Sequence, residues 1–382
     1  MREPGGLGIS SILRRLSDKS DVGQEPQSEY DERMLGPGWK VDKVADFSGW
    51  PSGIAISSHG RIFVSFPKTN GQLSPATLCE IVDGYASPFP FDSLSGNPAS
   101  QPFSSIQGLR CAANDRLYAL DAGATALWVL DAHSGRVVHH YGFSADVVSP
   151  TTFLNDLALD LAHGGTAYIL DSGVHGPNAL IVLDLASGHA RRVLNDHPSM
   201  RASGSLGRRG VLADGKPLLV REPGGRSHPL QAGVVGVALL TGDNRLYWAK
   251  PDTLYSVPTA LLVDATTTDR DLDAAIDTWP IRPFASDGLV RDAEGHLLFT
   301  DVTHNGVQRL SPHHGHYELL AADPRISWPD GIAVGPDGGI YVTSSQFHRS
   351  AAFHSGKDKR RPPFGLFRLC PRGRGAPIAS EY

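Results

Sequence analysis

Short apolar stretches separated by turn residues recur along this chain. From Trp328 to Ser345 an apolar run, Gly331 to Val334, meets a Gly-Pro-Asp-Gly turn, and a second apolar run starts at Ile340. Two strands of about five residues joined by an Asp-Gly turn predict a β-hairpin. The same pattern opens at Gly53, Gly108, Asp156 (where Asp takes the Gly slot), Gly236 and Gly288. The six openings are spaced 55, 48, 80, 52 and 43 residues apart. Apart from the long interval, this matches the roughly 40–50 residues of one propeller blade. The expected fold is all-β: a six-bladed β-propeller.

Further strands follow each hairpin. Ala126 to Asp131 and Arg136 to Tyr141 flank a His-Ser-Gly turn, and Ala179 to Asp184 and Ala190 to Leu194 flank Ala-Ser-Gly. Val307 to Leu310 and Tyr317 to Leu320 flank a His-rich turn, while Leu254 to Val257 precedes a short Pro-Thr-Ala-Leu-Leu segment. Lys40 to Phe47 reads as a strand with no local partner. It is expected to close the ring by pairing with Phe364 to Leu369, which removes an open sheet edge. The domain expectation is a disordered leader at 1–37, the propeller at 38–370 and a mobile tail at 371–382. Residues 66–105 and 201–230 read as long excursions on the ring, where ligands are often covered.

Composition narrows the picture. Gly 42 and Pro 28 suit a fold with many turns, and 40% hydrophobic residues suffice for a core. A net charge of −5 carries no nucleic-acid signature, and no apolar run reaches the roughly 18–20 residues of a membrane span. The expected partner is a small molecule, with no nucleic acid and no membrane, and the chain is expected to be monomeric. Near the N-terminus the apolar run precedes Arg14 and Arg15, the reverse of a secretory signal, so the leader reads as cytoplasmic. Cys79, Cys111 and Cys370 do not make a disulfide framework; Cys79 and Cys111 could pair, or remain buried thiols.

The inner strand of each blade lines the channel, so the residue before each opening position points to one mouth. Those residues are Ser52, Gln107, Asn155, Val235, Asp287 and Asp330. Gln107, Asn155, Asp287 and Asp330 are the candidate ligand-binding set. Asn155, Asp287 and Asp330 could also hold a hard divalent cation such as calcium through oxygen. The competing reading is that Asp before Gly only shapes a turn. His175, His304 and His348 each follow an inner hairpin; they read as hydrogen-bonded loop residues, or as candidate catalytic bases. No nucleophile elbow, phosphate loop, His-Glu-x-x-His or dinucleotide fingerprint occurs.

Six strings carry a family resemblance: Phe153–Asp160 (FLNDLALD), Tyr168–Gly173 (YILDSG), Ala179–Asp184 (ALIVLD), Leu254–Thr259 (LYSVPT), Ser286–Val290 (SDGLV) and Trp328–Val334 (WPDGIAV). Together, from about Trp39 to Arg368, they resemble the major royal jelly protein / yellow family in its microbial form. The resemblance implies a six-bladed propeller. It also implies a small polar or aromatic ligand at the channel mouth, with dopachrome-like conversion of a pigment precursor in some members and secretion in others. Whether the chain is an enzyme is left open by the family. A more distant resemblance is to senescence-marker / gluconolactonase propellers, whose divalent metal is held by a Glu, two Asn and an Asp. Asn155 and Asp287 match two of those ligands; Ser52 and Val235 stand where the Glu and the second Asn would be. A metal-dependent lactonase-like hydrolase is therefore the alternative, and a protein-binding scaffold using the two long loops is a third.

Overall fold

The computed structural model describes residues 38–372, except 70, 75, 91–101, 174–175, 203–210, 223–224 and 280–283. The expected leader and most of the expected tail lie outside the described residues. Six four-stranded antiparallel sheets form the ring. Their inner strands are Ile54–Ile56, Ile106–Cys111, Leu154–Asp160, Gly236–Leu240, Leu289–Arg291 and Pro329–Val334, defining blades 1 to 6. In blades 1 to 5 the strands follow one another outward in chain order. In blade 6 the third strand, Phe364–Pro371, is followed outward by Trp39–Phe47, with Trp39 opposite Pro371 and Phe47 opposite Phe364. The N-terminal strand thus closes the ring as expected.

The core lies between blades, where apolar faces of adjacent sheets meet. Tyr168 and Leu180 of blade 3, for example, share a buried cluster with Val237, Leu246 and Trp248 of blade 4. Closest approach occurs at the opening glycines. A Cβ on Gly53 would lie 2.3 Å from the Gln107 carbonyl oxygen, one on Gly288 would lie 2.4 Å from that of Asp330, and one on Gly331 would lie 2.3 Å from that of Ser52. No side chain fits there, which is why Gly recurs at that slot.

A hydroxyl latch spans the same joints. Gly53 N donates to Ser65 Oγ (2.8 Å), and Ser65 Oγ donates to Gln107 O of the next blade (2.5 Å). At the closing joint, Gly331 N donates to Thr343 Oγ1 (2.9 Å), which donates to Ser52 O (2.7 Å). The seam between blades 6 and 1 is therefore built like an ordinary joint.

The long interval between blades 3 and 4 contains two small hairpins, Leu212–Ala213 with Lys216–Pro217 and Leu219–Arg221 with Ser227–Pro229. In blade 4 the segment after Leu254–Pro258 forms two short helices, Thr259–Val263 and Asp269–Ala275, before the outer strand Asp277–Thr278. Thr268 caps the second helix reciprocally with Asp271. Among the described residues no helix is long and apolar enough to cross a membrane. Cys79 and Cys111 are both buried free thiols, with burial pushing each up to about 12.

Candidate ligand site at the channel mouth

All six residues that precede the blade openings line one small cavity at the channel mouth: Ser52, Gln107, Asn155, Val235, Asp287 and Asp330. Its volume is about 30 Å³, room for an ion, a water or the head group of a larger molecule. The side chains form a hydrogen-bonded arc. Gln107 Nε2 donates to Ser52 Oγ (2.8 Å) and to Asn155 Oδ1 (3.3 Å), and Ser52 Oγ donates to Asp330 Oδ1 (3.1 Å). Asn155 Nδ2 donates to the Val235 carbonyl (3.3 Å), so the apolar member of the ring contributes its backbone.

Asp287 and Asp330 are held differently from three fully buried carboxylates, Asp121, Asp171 and Asp301. In blades 2, 3 and 5 the second strand ends on a buried Asp that ties down a loop. Asp121 accepts from the backbone N–H of Ser104 and Ser105 (both 2.7 Å), Asp171 from that of Phe153 (2.8 Å), and Asp301 from those of Thr303 and His304 (3.0 and 2.9 Å). Asp287 Oδ2 instead accepts the Trp328 indole N–H (2.8 Å), and Asp330 accepts hydroxyls of Ser52 and Ser345. Both lie deep in the ring while keeping some surface open to the cavity. Desolvation pushes Asp287 up to about 6, against the Trp328 hydrogen bond. Desolvation and then the charge of Asp287 push Asp330 well above the ordinary carboxylate range. No described Lys or Arg pairs with either group.

Immediately below sits a plug that sequence reasoning missed. Two residues after each blade-opening position stand Ala55, Arg110, Ala158, Ala238, Val290 and Ala333. Arg110 is the sole charge in that series, and Asp156 is the sole exception in the Gly slot. The two exceptions pair: Arg110 Nη2 donates to Asp156 Oδ2 (3.0 Å) and to the carbonyls of Leu289 (3.2 Å) and Val237 (3.4 Å). Asp156 also accepts from Leu157 N (2.8 Å) and Val237 N (3.1 Å), bridging blades 3 and 4 where other joints use Gly. Burial raises its pKa against the opposing pull of Arg110. Arg110 is shared with a second cavity of about 340 Å³ toward the other end of the channel, walled by residues such as Ala158, Val237 and Leu239. Comparing equivalent positions across the six repeats would have found the pair.

His304 and His348 fall outside the cavity lining. His304 is half exposed and holds Asp301 Oδ2 through Nδ1 (2.7 Å), which raises its pKa. His348 is buried; its Nε2 contacts Asp214 Oδ2 (2.9 Å), its ring stacks on Trp328 (5.8 Å between centroids, 19° between planes), and burial lowers its pKa. His175 lies outside the described residues.

A closed six-bladed propeller with an acidic channel mouth is the class that fold and site define. The sequence profile of the family described as "Major royal jelly protein" matches residues 105–361, well over half of the chain. The protein belongs to that family. No curated protein matches it significantly. Among solved structures it is similar to a gluconolactonase from Xanthomonas campestris, at 13% identity and TM-score 0.53, covering 89% of this chain and 91% of that one. It is similar also to a luciferin-regenerating enzyme, at 13% identity and TM-score 0.53, covering 90% and 100%. A streptogramin B lyase gives 14% identity and TM-score 0.50, covering 88% and 98%. At such identities the likeness concerns the fold alone.

Proposed function

We propose that the protein binds a small molecule at the channel mouth through a positively charged head group, an amine on a polar or aromatic body. One observation carries the reading: Asp287 and Asp330 face a single cavity with no cationic partner among the described residues, and each suffers from desolvation and from its acidic neighbours. An ammonium group entering there relieves both costs, since a nearby opposite charge favours the ionised carboxylates. Ser52, Gln107 and Asn155 would orient the head group, and the small volume restricts the occupant to inserting that head and keeping its body outside. The same two carboxyl groups offer proton transfer, one accepting while its protonated neighbour donates, which is the chemistry a dopachrome-like tautomerisation requires.

A second reading is favoured by the oxygen donors alone. Asn155, Asp287 and Asp330 could hold a divalent cation such as calcium, and the cavity is of ionic size. Such an ion would supply Lewis-acid activation of an ester carbonyl in a lactonase-like hydrolysis. Ser52 and Val235 weaken that fit, because the first donates its hydroxyl proton to Asp330 and the second offers only a carbonyl already bonded to Asn155.

A thermal-shift panel separates the readings. Tyramine and related amines should raise the unfolding midpoint of the wild type and fail to do so in Asp330→Asn. Stabilisation by calcium or a lactone, with none by amines, would favour the hydrolase. Indifference to all three classes would remove both.

A further inference from the structure

We propose that Trp328 is a positioning residue for Asp287, and that the hairpin inserted between blades 3 and 4 holds it in place through Asp214 and His348. The proposal deepens the reading of the mouth as a cation site and relies on it only for its binding readout.

Four side chains make the connection. Asp214 sits at the tip of the Leu212–Ala213/Lys216–Pro217 hairpin, and its Oδ2 accepts from His348 Nε2 (2.9 Å) and Arg349 Nη2 (3.3 Å). His348 stacks on the indole of Trp328, and the indole N–H donates to Asp287 Oδ2 at 2.8 Å. Apolar packing runs alongside: Val211, Ala213 and Leu218 of the insertion share a buried cluster with Trp328, Phe353 and Val302. The inserted hairpin therefore contacts the blade 6 loops from one side while Asp287 of blade 5 is held from the other.

Three locally unfavourable features lie along this line. Trp328 has φ +56°, a left-handed conformation that costs a bulky side chain free energy. Gln346, at the start of the loop carrying His348, has φ +51°. His348 Nδ1 is buried with no hydrogen-bond partner, so its ring is the tautomer with the proton on Nε2, donated to Asp214. Free energy spent at adjoining positions marks a place where geometry is being held for a purpose. Here the geometry held is that of the indole. With the N–H directed at Oδ2, the other Asp287 oxygen is left for the cavity.

The hairpin permits a clean test. Asp214 has φ +50°, so Asp214→Gly keeps the turn while deleting the carboxylate, and Asp214→Asn keeps both the turn and an acceptor oxygen. In ¹⁵N-labelled full-length protein, the Trp328 indole N–H signal is assigned by its loss in Trp328→Phe. It should be displaced in Asp214→Gly and return to its wild-type position in Asp214→Asn. Tyramine affinity should fall about tenfold in Asp214→Gly and recover in Asp214→Asn. An indole signal unmoved in Asp214→Gly overturns the inference, as does a displaced signal with undiminished tyramine affinity. If the wild type binds no tyramine, the proposed function fails, and the indole signal alone still decides whether the hairpin positions Trp328.

Discussion

Arg110 and Asp156 show how much of this protein rests on two departures from its own repeat. A guanidinium in an Ala slot and a carboxylate in a Gly slot meet beneath the mouth, and each is tolerable only because of the other. Removing one member leaves a buried charge without its partner, at about 3–5 kcal/mol. Arg110→Ala should therefore be strongly destabilising in denaturant unfolding. The double variant Arg110→Ala/Asp156→Gly, which restores the residues of the other blades, should be less destabilised than the sum of the two single changes. Additive losses would show that the pair is not a unit. The cavity-lining set was legible at this scale, because a residue before a repeated strand start inherits its direction from the backbone. Trp328 was not. Its indole crosses from blade 6 to blade 5 through a left-handed backbone that no periodicity announces.

Strands and turns were the most readable elements, since alternation and Asp-Gly or Ser-Gly turns are local signals. Ala126–Asp131 and Ala179–Asp184 occur as expected, and outer partners such as Val137–Gly142 and Ala190–Val193 differ by a residue at their ends. The two helices of blade 4 were not foreseen. Thr259–Val263 is a single short turn that buries only Thr259 and Leu262, so it gives no helical period long enough to detect. The repeated Gly acquires a physical reason only in three dimensions. At Gly331 a Cβ would stand 2.3 Å from a backbone oxygen, whereas at Gly242 it would meet nothing within 4 Å. Gly331→Ala should cost about 2–4 kcal/mol of stability and Gly242→Ala well under 1, judged from urea midpoints. Equal effects at the two sites would contradict the close-approach account of the blade joints.

At the scale of the whole molecule, closure turns a set of hairpins into a site. The final joint uses the same hydroxyl latch as the first, so Asp330 and Ser52, 278 residues apart, become hydrogen-bonding neighbours. Blade count and closing strand could be read from spacing, because a repeat that cannot bury its own face must stack on the next. The chemistry could be read only in part. Sequence spacing brought Asn155, Asp287 and Asp330 to one mouth, and the structure adds that two of them have no cationic partner among the described residues. It also adds the plug that separates this mouth from the larger cavity, and the insertion whose hairpin reaches Trp328. Membership of the major royal jelly protein family agrees with the ring and leaves the occupant to the residues themselves.

Titration of those residues gives the most direct test. Asp287 is raised to about 6 and Asp330 stands well above the ordinary carboxylate range, so acid reduces the charge that an incoming ammonium meets. Binding a cation lowers both pKa values and therefore expels protons. Calorimetric titration of tyramine, repeated near pH 6 in buffers of different ionisation enthalpy, should show net proton release on binding. Affinity should rise as pH climbs through about 6 and beyond, with both effects reduced in Asp287→Asn. Binding without proton release, or affinity that is flat or falling over that range, would contradict the account.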